Sequence, residues 1–208
     1  MDDELKRVIP VVEEVSRSCH VMISVDTTKS EVAREAIKHG ARMINDISAM
    51  RFDPRMIDVV AGSDAFIVLM HMQGTPQTMQ RDPSYADTVA EIRDFLDERI
   101  QLAVRGGIDR KRLIVDPGIG FGKRLTHNLE ILRGLSKLKT LQVPVLVGLS
   151  RKSFLGEILG VPADERLTGT IAADAIAISN GADIIRVHDV KEGRQTADVA
   201  VCLQSNAP

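Results

Sequence analysis

Six short apolar runs, with helical patterns between them, define this chain. They cover residues 21–25, 42–47, 65–70, 113–115, 143–149 and 183–187. Most are rich in Val and Ile and all are too short for buried helices, so they read as strands. Their near-continuous apolarity suits a sheet buried on both faces. Between them, spacing predicts helices. Ser30 can cap 31–39, which stops at Gly40, and the long amphipathic stretch 86–105 closes on Gly106-Gly107. Thr126 can cap a helix running to about residue 138, and 169–180 stops at Gly181. Asp189-Val190-Lys191-Glu192 has capping-box spacing and opens a last helix.

Strands alternating with helices mean βα units and a parallel sheet. No sequence repeat, low-complexity segment or linker divides the chain, so residues 1–208 read as a single domain. A doubly wound open sheet and a (β/α)8 barrel both accommodate six units, and both gather ligands at the carboxyl ends of their strands. A barrel typically takes about 250 residues, which makes this chain short for one. Residues 3–18 have a helical pattern through Leu5, Val8, Ile9, Val12 and Val15, with Pro10 acting against it. The least regular stretch, 73–84, reads as a functional loop.

Charge and cysteine usage exclude several classes. Lys plus Arg total 27 against 29 Asp plus Glu, a balance that gives no reason to expect nucleic acid or an anionic membrane as partner. The apolar runs are far too short to span a bilayer. The start, Met1-Asp2-Asp3-Glu4, is acidic where a signal peptide is basic. Cys19 and Cys202 form neither a disulfide framework nor a zinc knuckle, so a cytoplasmic location is expected. No histidines pair at metal-binding spacing, and no GxSxG elbow occurs.

The polar residues closing the runs carry the functional reading. The runs end in Asp26-Thr27, Asn45-Asp46, His71-Met72, Asp116-Pro117-Gly118, Ser150-Arg151-Lys152-Ser153 and Arg186-Val187-His188-Asp189. A strand-ending Asp taken alone is as readily a helix cap. Six polar ends in succession on one face of a parallel sheet form a site instead. Carboxylates and an amide offer acceptors to a flat ligand rich in N–H groups, and Lys152 can donate to a ring carbonyl. Arg186 and His188, two residues apart on one strand end, share a face and suit a diphosphate or other anion. The stretch Gly118-Ile119-Gly120-Phe121-Gly122-Lys123 matches neither GxxxxGK[ST] nor GxGxxG. It offers a tight turn with Phe121 at its tip, either lining a pocket for a planar ring or belonging to the core.

Taken together, Ile23-Ser24-Val25-Asp26-Thr27, Ile44-Asn45-Asp46-Ile47, Leu69-Met70-His71-Met72-Gln73-Gly74, Asp116 to Lys123, Gly148-Leu149-Ser150-Arg151-Lys152-Ser153 and Arg186-Val187-His188-Asp189-Val190 resemble the dihydropteroate synthase family, in the family's order and over nearly the whole chain. The resemblance implies a (β/α)8 TIM-barrel type of α/β fold, here incomplete, with six βα units corresponding to strands 3 to 8. It implies condensation of a dihydropterin diphosphate with p-aminobenzoate, with Lys152, Arg186 and His188 as catalytic residues. Pterin contacts are implied for Asp26, Asn45, Met70, Asp116, Gly148 and Lys152, and p-aminobenzoate contacts for Phe121, Lys152 and Ser153. Arg186 and His188 would hold the diphosphate. Mg2+ and a homodimer are implied as well, together with sulfonamides as inhibitors. The family's first two strand loops, Asn-Val-Thr-Pro-Asp-like and Gly-Glu-Ser-Thr-Arg-Pro-like, do not occur in these residues. The first supplies the metal ligand, so none is expected in this chain, and the chain alone is expected to associate or aggregate and to show little or no turnover. A methyltetrahydrofolate corrinoid methyltransferase and a non-catalytic pterin-binding subunit are the rival readings.

Overall fold

The computed structural model describes residues 2–204; Met1 and residues 205–208, the ends of the expected domain, lie outside them. The described chain forms two compact units. One takes the chain up to His71 together with Phe95–Val115; the other takes Met72–Asp94 and the chain from Asp116 onward.

The first unit is an α/β layer. Helix α1 (Asp2–Ser18) is followed by β1 (Ser24–Asp26), α2 (Ser30–Lys38), β2 (Met43–Asp46), α3 (Met56–Ala61) and β3 (Phe66–Met70). Strand β4 (Leu113–Asp116) completes a sheet in the order β1-β2-β3-β4. Both β1–β2 and β2–β3 are parallel, with Val25 opposite Ile44 and Ile44 opposite Ile67. Every residue of β4 is buried, as a strand covered on both faces requires. Strand β1 departs from that pattern, because only Val25 is buried between exposed Ser24 and Asp26. Helix α1 continues through Pro10, whose missing N–H costs least on the exposed side where it sits, while Val12 turns inward.

The cap expected at Ser30 is not made. Ser30 is already inside α2, and its N–H and Oγ both donate to Asp53, at 3.0 and 2.6 Å. A carboxylate distant in sequence thus satisfies the first free N–H of α2, which local spacing cannot reveal.

The second unit holds a parallel pair, β5 (Leu146–Val147) with β6 (Ile184–Ile185). Around it lie α5 (Leu125–Arg133), α6 (Ser153–Leu159), α7 (Leu167–Ser179) and α8 (Val190–Gln204). Helix α4 (Thr88–Arg105) passes from the second unit into the first. The helix expected from Thr126 to about 138 is shorter: α5 starts at Leu125 and stops at Gly134, and 3-10 geometry takes over from Leu135 to Leu141. Thr126 lies inside the helix, and the His127 ring nitrogen accepts the Arg124 N–H in its place. At α8 the Asp189 carboxylate is held by the Arg151 guanidinium, at 2.5 and 3.1 Å, rather than serving a capping box.

Candidate active site

In the first unit, β1 and β2 bring Asp26 and Asn45 side by side. The Asn45 amide donates to the Asp26 carboxylate at 3.0 Å. Asn45 is buried, and its Oδ1 has no hydrogen-bond partner among the described residues. Met70 is fully buried at the end of β3, whose Val68 pairs with Asn45.

Two strand-end groups in this unit are structural, contrary to the expectation that all converge on a ligand. Asp46 is completely buried and turns back on its own loop. Its carboxylate accepts from the Ser48 N–H and Oγ and from the Met50 N–H, at 2.7–2.9 Å. Those bonds hold Ala49 and Met50 in the left-handed region, at φ 51° and 63°, a geometry costly for side chains with a Cβ. Burial raises the Asp46 pKa, although these hydrogen bonds oppose it. His71 is likewise buried, edge-on to the Phe95 ring at 4.9 Å.

The second unit assembles most of the predicted set. Strand β4 delivers Asp116, which is buried. Its Oδ1 accepts the Gly118 N–H at 2.7 Å, while its Oδ2 is buried with no hydrogen-bond partner among the described residues. The Arg186 guanidinium lies 4.0 Å from that oxygen. The glycine turn then runs through positive φ at Gly118, Gly120 and Gly122, and the buried Asn128 fixes it by accepting the Gly120 N–H at 2.8 Å. Phe121 is half-buried at the tip rather than in the core. The Lys152 ammonium sits 5.0 Å from its ring centroid and also donates to the Ile119 carbonyl. Ser153 follows as the exposed first residue of α6.

Strand β6 ends at Ile185, so Arg186 and His188 lie beyond it and the alternation of a strand does not orient them. Arg186 lies over Gly148; a Cβ there would stand 3.3 Å from its guanidinium. His188 is exposed and its Nδ1 is 2.9 Å from the Ser150 hydroxyl. Arg186 therefore turns toward Asp116, and His188 toward the Ser150 loop.

Burial dominates the electrostatics. Desolvation pushes Lys152 down to about 8, with Asp116 opposing and Arg186 assisting. It pushes the buried Lys123 down to about 7, again with Asp116 opposing and Lys152 assisting. Lys123 is a functional candidate that motif matching passed over, because it read as the tail of a failed phosphate loop. The Ser150–His188 and Arg151–Asp189 pairings were also not apparent, since each joins residues 38 apart in sequence. The 73–84 loop is built into this site. The Gln73 side chain clamps its far end through the Ser84 N–H and carbonyl, and Gln80 donates to the Gly120 carbonyl at 2.7 Å. Tyr85, just past the loop, donates to the Gly122 carbonyl at 2.8 Å.

A buried carboxylate oxygen lacking a donor, beside Lys152 and Arg186, suits a ligand that presents N–H groups at one end and negative charge at the other. Among the described residues no group of three or more His, Cys, Asp or Glu side chains is placed to hold a metal ion. Among the described residues no helix is long and apolar enough to cross a membrane.

Comparison with known proteins matches residues 1–188 to the pterin binding enzyme family. The dihydropteroate synthase of Escherichia coli K12 is 47% identical over 192 residues, 92% of this chain and 68% of its own length. The crystal structure of Yersinia pestis dihydropteroate synthase with a sulfonamide complex superposes with a TM-score of 0.96 at 42% identity, covering 99% of this chain and 75% of the other. The Xanthomonas albilineans dihydropteroate synthase in complex with 7,8-dihydropteroate gives a TM-score of 0.92 at 43% identity, covering 100% and 76%.

Proposed function

This chain belongs to the pterin binding enzyme family, and from that membership we infer that it functions as a dihydropteroate synthase, a transferase joining a dihydropterin diphosphate to p-aminobenzoate. The observation that supports this reading best is the unpartnered, buried Oδ2 of Asp116. A pterin carries an amino group and a ring N–H side by side, a donor pair that a carboxylate accepts.

In this reading Asp26, Asn45, Met70, Asp116, Gly148 and Lys152 contact the pterin. Asn45 brings a second buried acceptor, and Gly148 leaves room that a side chain would take from Arg186. Phe121, Lys152 and Ser153 contact p-aminobenzoate, and Arg186 and His188 hold the diphosphate. The C–O bond at the pterin's exocyclic CH2 breaks and diphosphate leaves with the bonding electrons. The aromatic amine then forms the new C–N bond and loses a proton. Arg186 and His188 stabilise the departing charge, and Lys152 holds the ring through its oxygen; the protein acts mainly by placement and charge. Magnesium, when bound, would neutralise diphosphate charge, and its ligand in this reading lies in the family's first loop, outside these residues.

The six strands are read as strands 3 to 8 of a (β/α)8 barrel, and the enzyme as cytoplasmic. A homodimer is proposed on the outer face of α7 and α8, where Ile176, Val199 and Leu203 are exposed around an apolar groove. The test is product formation. The chain, alone and with the family's first two strand–loop units supplied, is given both substrates and followed for 7,8-dihydropteroate and diphosphate. Turnover that Asp116→Ala abolishes supports the reading. No turnover in the completed form would refute it.

A further inference from the structure

Phe121 stands between Gly120 and Gly122, both at positive φ, so its ring is mounted on the least constrained kind of backbone. The carbonyls on either side of it are nevertheless held from outside the turn. Gln80 donates to the Gly120 carbonyl at 2.7 Å, and the Tyr85 hydroxyl to the Gly122 carbonyl at 2.8 Å, from 40 and 37 residues away in sequence. The segment carrying these donors is itself anchored. The Gln73 side chain ties it off at Ser84, and a Cβ on Gly122 would stand 2.9 Å from the Gln73 carbonyl oxygen. Asp82 pairs with Arg124 just past the turn, and the Tyr85 ring meets His127 of α5 edge-on, with centroids 4.9 Å apart. Lys152 packs on the same turn: a Cβ on Gly120 would stand 3.5 Å from its Cδ, and its ammonium lies 5.0 Å from the Phe121 ring centroid.

We propose that Gln80 and Tyr85 are positioning residues for the p-aminobenzoate pocket: by holding the Gly120 and Gly122 carbonyls they fix the Phe121 ring against Lys152. The proposal rests on the reading of Phe121 and Lys152 as p-aminobenzoate contacts. Gln80 and Tyr85 act through Phe121, and neither belongs to the residues assigned to a substrate. A planar ligand gains most from an aromatic wall that already stands in place, because ordering a mobile tip on binding costs affinity. Removing the two donors frees the glycines on both sides of Phe121 while leaving its side chain intact. The loss therefore falls on the aromatic amine. The pterin, whose proposed acceptors Asp116 and Asn45 lie on strands, is spared.

The first test needs no ligand. The chain contains no Trp, so Phe121→Trp places its only tryptophan at the tip. In that background Gln80→Met with Tyr85→Phe removes both donors and nearly keeps both shapes. Acrylamide quenching of the tryptophan should rise by at least about twofold as the tip loosens. If the double variant does not fold, Tyr85→Phe alone, which removes a single oxygen, is read in the same way. Unchanged quenching would overturn the proposal whatever Phe121 binds. The second test restores Phe121 and supplies the family's first two strand–loop units. Without the two donors, KM for p-aminobenzoate should rise by at least about fivefold, while KM for the pterin diphosphate stays within about twofold. Gln80→Lys, which keeps a donor, should retain the lower KM. An equal rise for both substrates, as general loosening would give, or no rise at all, would overturn the proposal. A wild type without turnover defeats the substrate assignment instead, and the quenching still decides whether the donors hold the tip.

Discussion

Asp174 is a buried carboxylate that the proposed chemistry does not use. It lies on the inner face of α7 with Thr170, Ala177 and Ile178, and neither of its oxygens has a hydrogen-bond partner among the described residues. Burial pushes its pKa up to about 7. An acid raised in this way binds its proton more tightly folded than unfolded. Stability therefore falls as pH rises from the ordinary carboxylate range toward 7, and levels off above it. Asp174→Asn should remove that slope, gaining on the order of a few kcal/mol at pH 8 and little at pH 4. Thermal melts at the two pH values check this, and an equal gain at both would contradict it. Asp116 was legible from sequence because it ends a strand. Asp174 was not, because it sits in a helix apolar nearly all round, where periodicity assigns no inner face.

The turn from Asp116 to Lys123 shows how a local segment sets the site. Gly122 has φ +65°, and a Cβ there would stand 2.9 Å from the Gln73 carbonyl oxygen. Gly160 has a similar φ of +70° but open space around it. Gly122→Ala combines left-handed strain of roughly 1–2 kcal/mol with a forced shift of the backbone beneath Phe121. It should lower the melting temperature by roughly 5 °C, and Gly160→Ala by less. Equal losses would mean that the approach of Gln73 is unimportant. Strand positions and the longer helices were readable from periodicity, while the short α3 and α6 and most helix starts were not. Ser30, Thr126 and Asp189 each looked like caps, yet Asp53, His127 and Arg151 intervene. Two of these three partners lie more than 20 residues away in sequence, beyond the reach of spacing rules.

Across the whole molecule, alternating strand and helix patterns were enough to read a parallel α/β protein, and the ordered strand-end motifs were enough to read the family. Which polar ends face a ligand was not readable, because Asp46 and Asp116 look alike in sequence. One turns back into its own loop, and the other keeps a buried oxygen without a donor. Association is likewise invisible to strand-end motifs, since it depends on which helix faces stay uncovered. Val199 and Leu203 on α8 are 61% and 83% exposed, beside Ile176 on α7. If that face makes the homodimer, Val199→Glu with Leu203→Glu should convert it to monomer in sedimentation velocity, because buried unpaired carboxylates are costly. An unchanged sedimentation coefficient would place the interface elsewhere.

Asp116 is the proposed acceptor for the pterin. Asp116→Asn keeps the shape of the side chain and replaces one acceptor oxygen by a donor, so donor would meet donor at the ring. Titration calorimetry with 6-hydroxymethylpterin should show binding to the wild type and a loss of at least about tenfold in Asp116→Asn, the penalty of one mismatched buried hydrogen bond. Its melting temperature should stay close to that of the wild type. Equal affinity for the two proteins would contradict the assignment of this site.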